Sequence, residues 1–168
     1  MRLPTRKSEL ERLQRQEVDN YLTPQKIAAM ERELDDLVKS KRAPAADEVA
    51  RTAQMGDLSE NAAYQFAKQN LRRINDRITM LEERLKHAIP IQVGDSDGKV
   101  RIGSTVKLAV DDKEFTFEIL GSSETNPSRG RISHSSPLGV ELIGKSVGNV
   151  ITLKTPKGST NYTIVSIE

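Results

Sequence analysis

Along the chain, apolar residues change their period near Pro90. Before it they recur at helical spacing; after it they alternate with polar residues between Gly and Pro punctuation. The clearest stripe is Tyr64, Ala67, Leu71, Ile74, Ile78, Leu81, Leu85 and Ala88, with no Gly or Pro inside it. It predicts one helix over about 58–88, roughly 45 Å long, with a coiled-coil seam. An earlier stripe of Ile27, Met30, Leu34 and Leu37 follows Thr23-Pro24, a hydroxyl N-cap with Pro in the first turn. Pro44 predicts a kink or short break. Beyond it, Ala45, Ala46, Val49 and Ala53 carry the pattern on to Gly56. Two such helices joined by a turn at Gly56-Asp57 double back as an antiparallel hairpin, each supplying the other's core.

The second half predicts strands over 99–102, 105–110, 115–120, 131–134, 150–154 and 162–167, with turns at 95–98 and 155–158. Pro137–Ile143 predicts a short helix capped by Ser136, with Pro at its first position. The fold class is therefore α+β: an N-terminal helical hairpin over 21–90, with its tip at 56–61, then a small antiparallel-sheet domain over 91–168. Residues 1–20 offer only Leu10 and Leu13 for helical packing and are expected to be a flexible extension.

Composition narrows the function classes. The 168 residues include no Trp, three Phe and three Tyr, so stacking on single-stranded nucleic acid, which needs an aromatic platform, is not expected as the main activity. A net charge of +2 does not indicate strong non-specific DNA binding. Absence of Cys removes disulfides, thiolate nucleophiles and Cys-based zinc sites. No apolar run reaches the ~18 residues of a membrane span, and no signal-peptide core opens the chain, so a cytoplasmic protein without membrane partners is expected.

The tip, Gln54-Met-Gly-Asp-Leu-Ser-Glu-Asn-Ala-Ala-Tyr64, holds Asp57 and Glu60 three residues apart. This is the spacing of a reciprocal helix cap, with both charges suited to a helix N-terminus. Metal binding is the alternative. The seam extended backwards from Tyr64 meets Glu60 and then Asp57, so the apolar stripe ends in two carboxylates. Two carboxylates alone cannot satisfy Mg²⁺, which takes six oxygens, so a metal role requires donors from a partner.

Gly56-Asp-Leu-Ser-Glu-Asn-Ala-Ala-Tyr64 resembles the signature of bacterial Gre-type transcript-cleavage factors. The C-terminal run from Ser135 to Glu168 is similar to that family's second domain, which is FKBP-like. The resemblance covers about 21–168. It implies a transcription elongation factor that binds RNA polymerase through the globular domain and inserts the hairpin into the secondary channel. There Asp57 and Glu60 would help hold a Mg²⁺ shared with the polymerase, none being bound tightly by the isolated protein. The backtracked RNA 3′ end would be cleaved by the polymerase, so the factor stimulates and is not itself an enzyme. DNA binding is expected in that setting. Gly56, Asn61 and Tyr64 match the motif as support for the tip. Lys68 and Arg72, with Arg73 and Arg77 alongside, form a basic patch for the RNA's phosphates, and Lys68 and Arg72 match approximately the basic residues that meet nascent RNA; a solvated helix face is the bland alternative. Ser136 and Pro137 match the polymerase-docking loop, and Ser135 replaces an acidic residue found in some members.

Three rivals stand beside this reading. A secondary-channel regulator that does not cleave would share the shape. A prolyl isomerase would need an aromatic-lined pocket, which Phe115, Phe117 and Tyr162 supply poorly. A coiled-coil dimeriser would need a free seam, whereas the hairpin consumes its own; a monomer is expected.

Overall fold

The computed structural model describes residues 19–55, 61–92, 94, 97–110, 113–155 and 158–168. They form two compact units, one over Pro24–Ala88 and one joining Ile89–Glu168 to the residues before Pro24. Among the described residues no helix is long and apolar enough to cross a membrane.

The first unit is the helical hairpin. One arm runs through α1 (Pro24–Asp36), a π-helical turn (Leu37–Lys41) and α2 (Arg42–Ala53); the other is α3 (Ala62–Lys86). The arms are antiparallel: Asn61 meets Thr52, and Arg77 meets Glu33 far back along the first arm. All of the predicted seam residues of α3 are partly or fully buried, with Ala67, Ile78 and Leu81 the deepest.

The break expected at Pro44 does not occur. The helix runs on through Pro44, in the first turn of α2, and this residue without an N–H follows directly on a widened turn. Just before it, the Arg42 N–H donates to Leu37 O, closing a wide i→i+5 turn. This turn absorbs one extra residue. Buried Met30 and Leu37 lie seven apart, Leu37 and Ala45 eight, and Ala45 and Thr52 seven, yet all stay on the seam. The frame after the proline is therefore Ala45, Val49 and Thr52; Ala46 and Ala53, expected inside, are exposed.

The second unit is built on a five-stranded sheet in the order β5-β4-β3-β7-β6, from β3 (Thr105–Val110), β4 (Lys113–Leu120), β5 (Arg131–Ser133), β6 (Val150–Thr155) and β7 (Gly158–Ile167). Its pairs are antiparallel, except that the short edge strand β5 runs parallel to β4. Alternation along β3 puts Val106 and Leu108 into a core with Val100, Ile119, Leu142, Ile151 and Ile164. Leu142 comes from α4 (Pro137–Leu142), the predicted short helix. Residues 99–102 do not form the expected strand. Lys99 makes one bridge to Ser146, and the Val100 backbone pairs with Lys145 and Gly144, which drives its side chain into the core.

Two short strands escaped the periodicity: β1 (Tyr21–Leu22) and β2 (Ile89–Pro90), paired in parallel. They are too short to show an alternation. Leu22 and Ile91 are buried beside them. Polar clamps fix this approach. Asp19 accepts from the Tyr21 N–H at 3.1 Å and from the Ser122 N–H, while Glu124 takes the Thr23 N–H and hydroxyl at 2.8 and 2.6 Å. Gly121 allows it sterically, since a Cβ there would lie 2.1 Å from Tyr21 O.

Candidate functional site

At the end of the hairpin, α2 stops at Ala53 and α3 starts at Ala62. The tight turn expected at Gly56-Asp57 falls on this link. Gly56, Asp57 and Glu60 lie outside the described residues. Their flanks are informative. The N-cap of α3 is Asn61, not Asp57: its carboxamide oxygen accepts from the Tyr64 N–H at 3.0 Å, and its own carbonyl takes the Gln65 N–H. The other end of the same carboxamide donates to Thr52 O at 2.9 Å. One side chain thus satisfies an orphan amide at the start of α3 and adds a donor to the Thr52 carbonyl, which already takes the Met55 N–H at 3.2 Å. It ties the two arms directly behind the acidic link.

Thr52 is the functional position that periodicity missed. It is 1% exposed, and its hydroxyl donates to Glu48 O at 2.8 Å, so a polar seam residue is fully satisfied. The 45–49–52 spacing was the available signal, obscured by counting Ala53. Further back, Arg77 donates twice to Glu33, at 2.7 and 2.8 Å. This hydrogen bonding holds the Glu33 carboxyl below its usual range, against a smaller opposing effect of desolvation.

The structure divides the basic residues proposed for RNA. At 100° per residue, Lys68 and Arg72 share one flank of α3 while Arg73 lies on the other. Lys68 sits over the Tyr64 ring at 5.9 Å, and Arg72 is 3.7 Å from Asp76. Arg73 has no ion pair among the described residues. The first stretch of α3, from Ala62 to Asn75, contains these three cations and no acid.

In the other unit, Ser136 caps α4 by accepting from the Gly139 N–H at 3.0 Å and donates to Ser133 O at 2.7 Å. Pro137 takes the first helical position, as expected. A Cβ on Gly139 would lie 2.1 Å from Ser133 O, so the glycine lets α4 sit on this backbone. The hydroxyls of Ser122, Ser133 and Ser135 form a triangle with sides of 2.9, 3.2 and 2.7 Å beside the loop. His134 Nδ1 approaches Asp19 at 3.4 Å. Among the described residues no group of three or more His, Asp or Glu could hold a metal.

Both units match known families. Residues 20–89 match the N-terminal domain of transcription elongation factors, and residues 95–168 match the GreA/GreB C-terminal domain. The chain belongs to the GreA/GreB transcription elongation factor family. Transcription elongation factor GreA of Chloroflexus aggregans is 40% identical over 154 residues, covering 90% of this chain and 98% of that protein. GreA of Rickettsia felis is 37% identical over 150 residues, 88% of this chain and 93% of the relative. A solved structure of GreA factor homolog 1 of Thermus thermophilus is 26% identical over 89% of this chain and 99% of its own, with a TM-score of 0.40, too low to add to the sequence match. The GreA/GreB match spans the acidic link, the Asn61 tie and the Ser136-Pro137 loop together.

Proposed function

We propose that this transcription elongation factor binds RNA polymerase, extends its hairpin into the secondary channel, and stimulates the polymerase's own cleavage of backtracked RNA 3′ ends. Docking is assigned to Ser136 and Pro137 on the globular unit. The setting is the cytoplasm, and the factor acts as a monomer.

The observation that carries the reading is the cap. Asn61 does the capping that was the alternative role for Asp57, so the two acids are not needed to start α3. They sit in a link whose flanks are tied by Asn61, at the end of a helix about 38 Å long. Asp57 and Glu60 fit a shared Mg²⁺ by donor chemistry: both are hard oxygen ligands, and two of them leave the ion dependent on a partner's donors. Such an ion, when bound, activates water and neutralises charge on a phosphodiester. The chain's own contribution is to present two carboxylates and to hold their flanks fixed through Asn61 and Thr52. Lys68 and Arg72 on one flank, and Arg73 on the other, attract the RNA backbone without reading its sequence.

The test is cleavage of 5′-labelled RNA in backtracked complexes. Wild type should accelerate shortening, and Asp57→Asn or Glu60→Gln should lower the stimulation at least about ten-fold, equivalent to roughly 1.4 kcal/mol of barrier, while still competing with wild type for polymerase. Wild type that binds without shortening RNA makes the protein a non-cleaving regulator of the channel instead.

A further inference from the structure

Phe66 has no structural explanation. It is 66% exposed, the most exposed large hydrophobic side chain among the described residues, and its ring makes no aromatic or cation contact among them. Leaving a Phe side chain in water forgoes the stabilisation that burying it would give. The neighbouring Tyr64 differs: it is a seam residue and carries Lys68 over its ring.

The surroundings of Phe66 point to the occupant. Residues four and seven positions on share its side of the helix, and these are Asn70 and Arg73. Arg77 continues the stripe but is committed to Glu33. A helix that docks in a protein groove presents apolar anchors at i, i+3, i+4 and i+7. Here those places after Phe66 hold Gln69, Asn70 and Arg73. One aromatic face among a carboxamide and an uncommitted guanidinium, on a stretch without acids, is instead the combination that holds an unpaired nucleotide. The ring takes the base face, the amide reaches the base edge and the cation takes a phosphate.

We propose that Phe66 is a stacking platform for one base of single-stranded RNA, with Arg73 as its phosphate contact. This deepens the proposed function, on which it rests for the identity of the RNA as the extruded 3′ segment. It also separates two flanks of α3: Lys68 and Arg72 act only as charge, while Phe66 and Arg73 grip a nucleotide. A single ring is less than the aromatic platform that the composition argues against as a main activity.

The test uses the full chain and short single-stranded oligoribonucleotides at low salt, and does not require polymerase. The chain has no Trp, so Phe66→Trp supplies a lone tryptophan at the site, which can be excited selectively over the three tyrosines. RNA should quench it, and a 2-aminopurine base in the RNA should in turn be quenched by wild type. Phe66→Leu keeps an apolar side chain without a π-face and should weaken RNA binding by about five-fold or more. Arg73→Gln should reduce the salt dependence of binding by about one phosphate contact. Absence of quenching, or equal RNA affinity of wild type and Phe66→Leu, overturns the proposal. If Phe66→Leu keeps RNA affinity but loses competition for polymerase, the ring meets protein and the proposal also fails. Failure of the cleavage reading is distinct: wild type would then quench and bind RNA yet leave transcripts in backtracked complexes unshortened.

Discussion

The two units solve the same problem of stability by different means. The sheet unit closes a core in which Val100, Val106, Leu108, Ile119 and Leu142 are fully removed from water. The hairpin has only a seam, with Met30, Leu37, Ala45, Ala67, Ile78 and Leu81 buried and most of its length in contact with solvent. Such a seam fixes two helices side by side but locates their ends weakly. The hairpin supplies location with polar fastenings: Asn61 to Thr52 beside the acidic link, and Arg77 to Glu33 further back. The difference teaches that a unit made to present groups at its end keeps little core there and relies on directional bonds.

Substitutions break this comparison in order of size. Leu108→Ala, at 0% exposure, should destabilise the sheet unit by about 3 kcal/mol through lost burial and a cavity. Amide hydrogen exchange should show the loss across the sheet. Asn61→Ala removes a cap and the tie to Thr52 together and should cost about 1.5 kcal/mol. That effect belongs to the end of the hairpin, and protection should fall around Tyr64 and Gln65 while the sheet keeps its own. A loss spread evenly over α3 would contradict the local role.

The smallest effect is electrostatic. Glu33 is held below its ordinary value of 4.5 by the Arg77 hydrogen bond. A depressed carboxyl stabilises the fold above the unfolded value and loses that contribution as pH falls through the folded one. Both side chains are more than a third exposed, so solvent screening limits the pair to about 0.5 kcal/mol. Wild type should lose this increment on acidification below pH 4.5, and Glu33→Gln should not, as judged by denaturant midpoints at a series of pH values.

Much of the fold was legible because repeated periods report repeated burial. The α3 seam, β3 and the Ser136 cap could be read from their residues. What could not be read has physical reasons. The π turn is invisible until the buried positions show one residue too many between Leu37 and Ala45. Strands β1 and β2 are too short to alternate. The strand expected at 99–102 lost to a backbone exchange with Gly144 and Lys145. At the candidate site, Asp57 and Glu60 stood out as charges at the end of a stripe, but the capping alternative was weighed for Asp57 and not for Asn61. Both Asp and Asn cap well, and only the helix start at Ala62 distinguishes them. Phe66 was hidden because an exposed aromatic has no sequence period of its own.

The central claim is that the acids at the hairpin's end are metal donors and not caps. The direct measurement is the Mg²⁺ dependence of transcript cleavage at saturating factor, for wild type and Glu60→Gln. The account predicts a higher half-saturating Mg²⁺ concentration for the variant and recovery of the rate as Mg²⁺ is raised. A variant that cleaves slowly with the wild-type Mg²⁺ dependence, and whose Tyr64 and Gln65 amides lose protection, would contradict it.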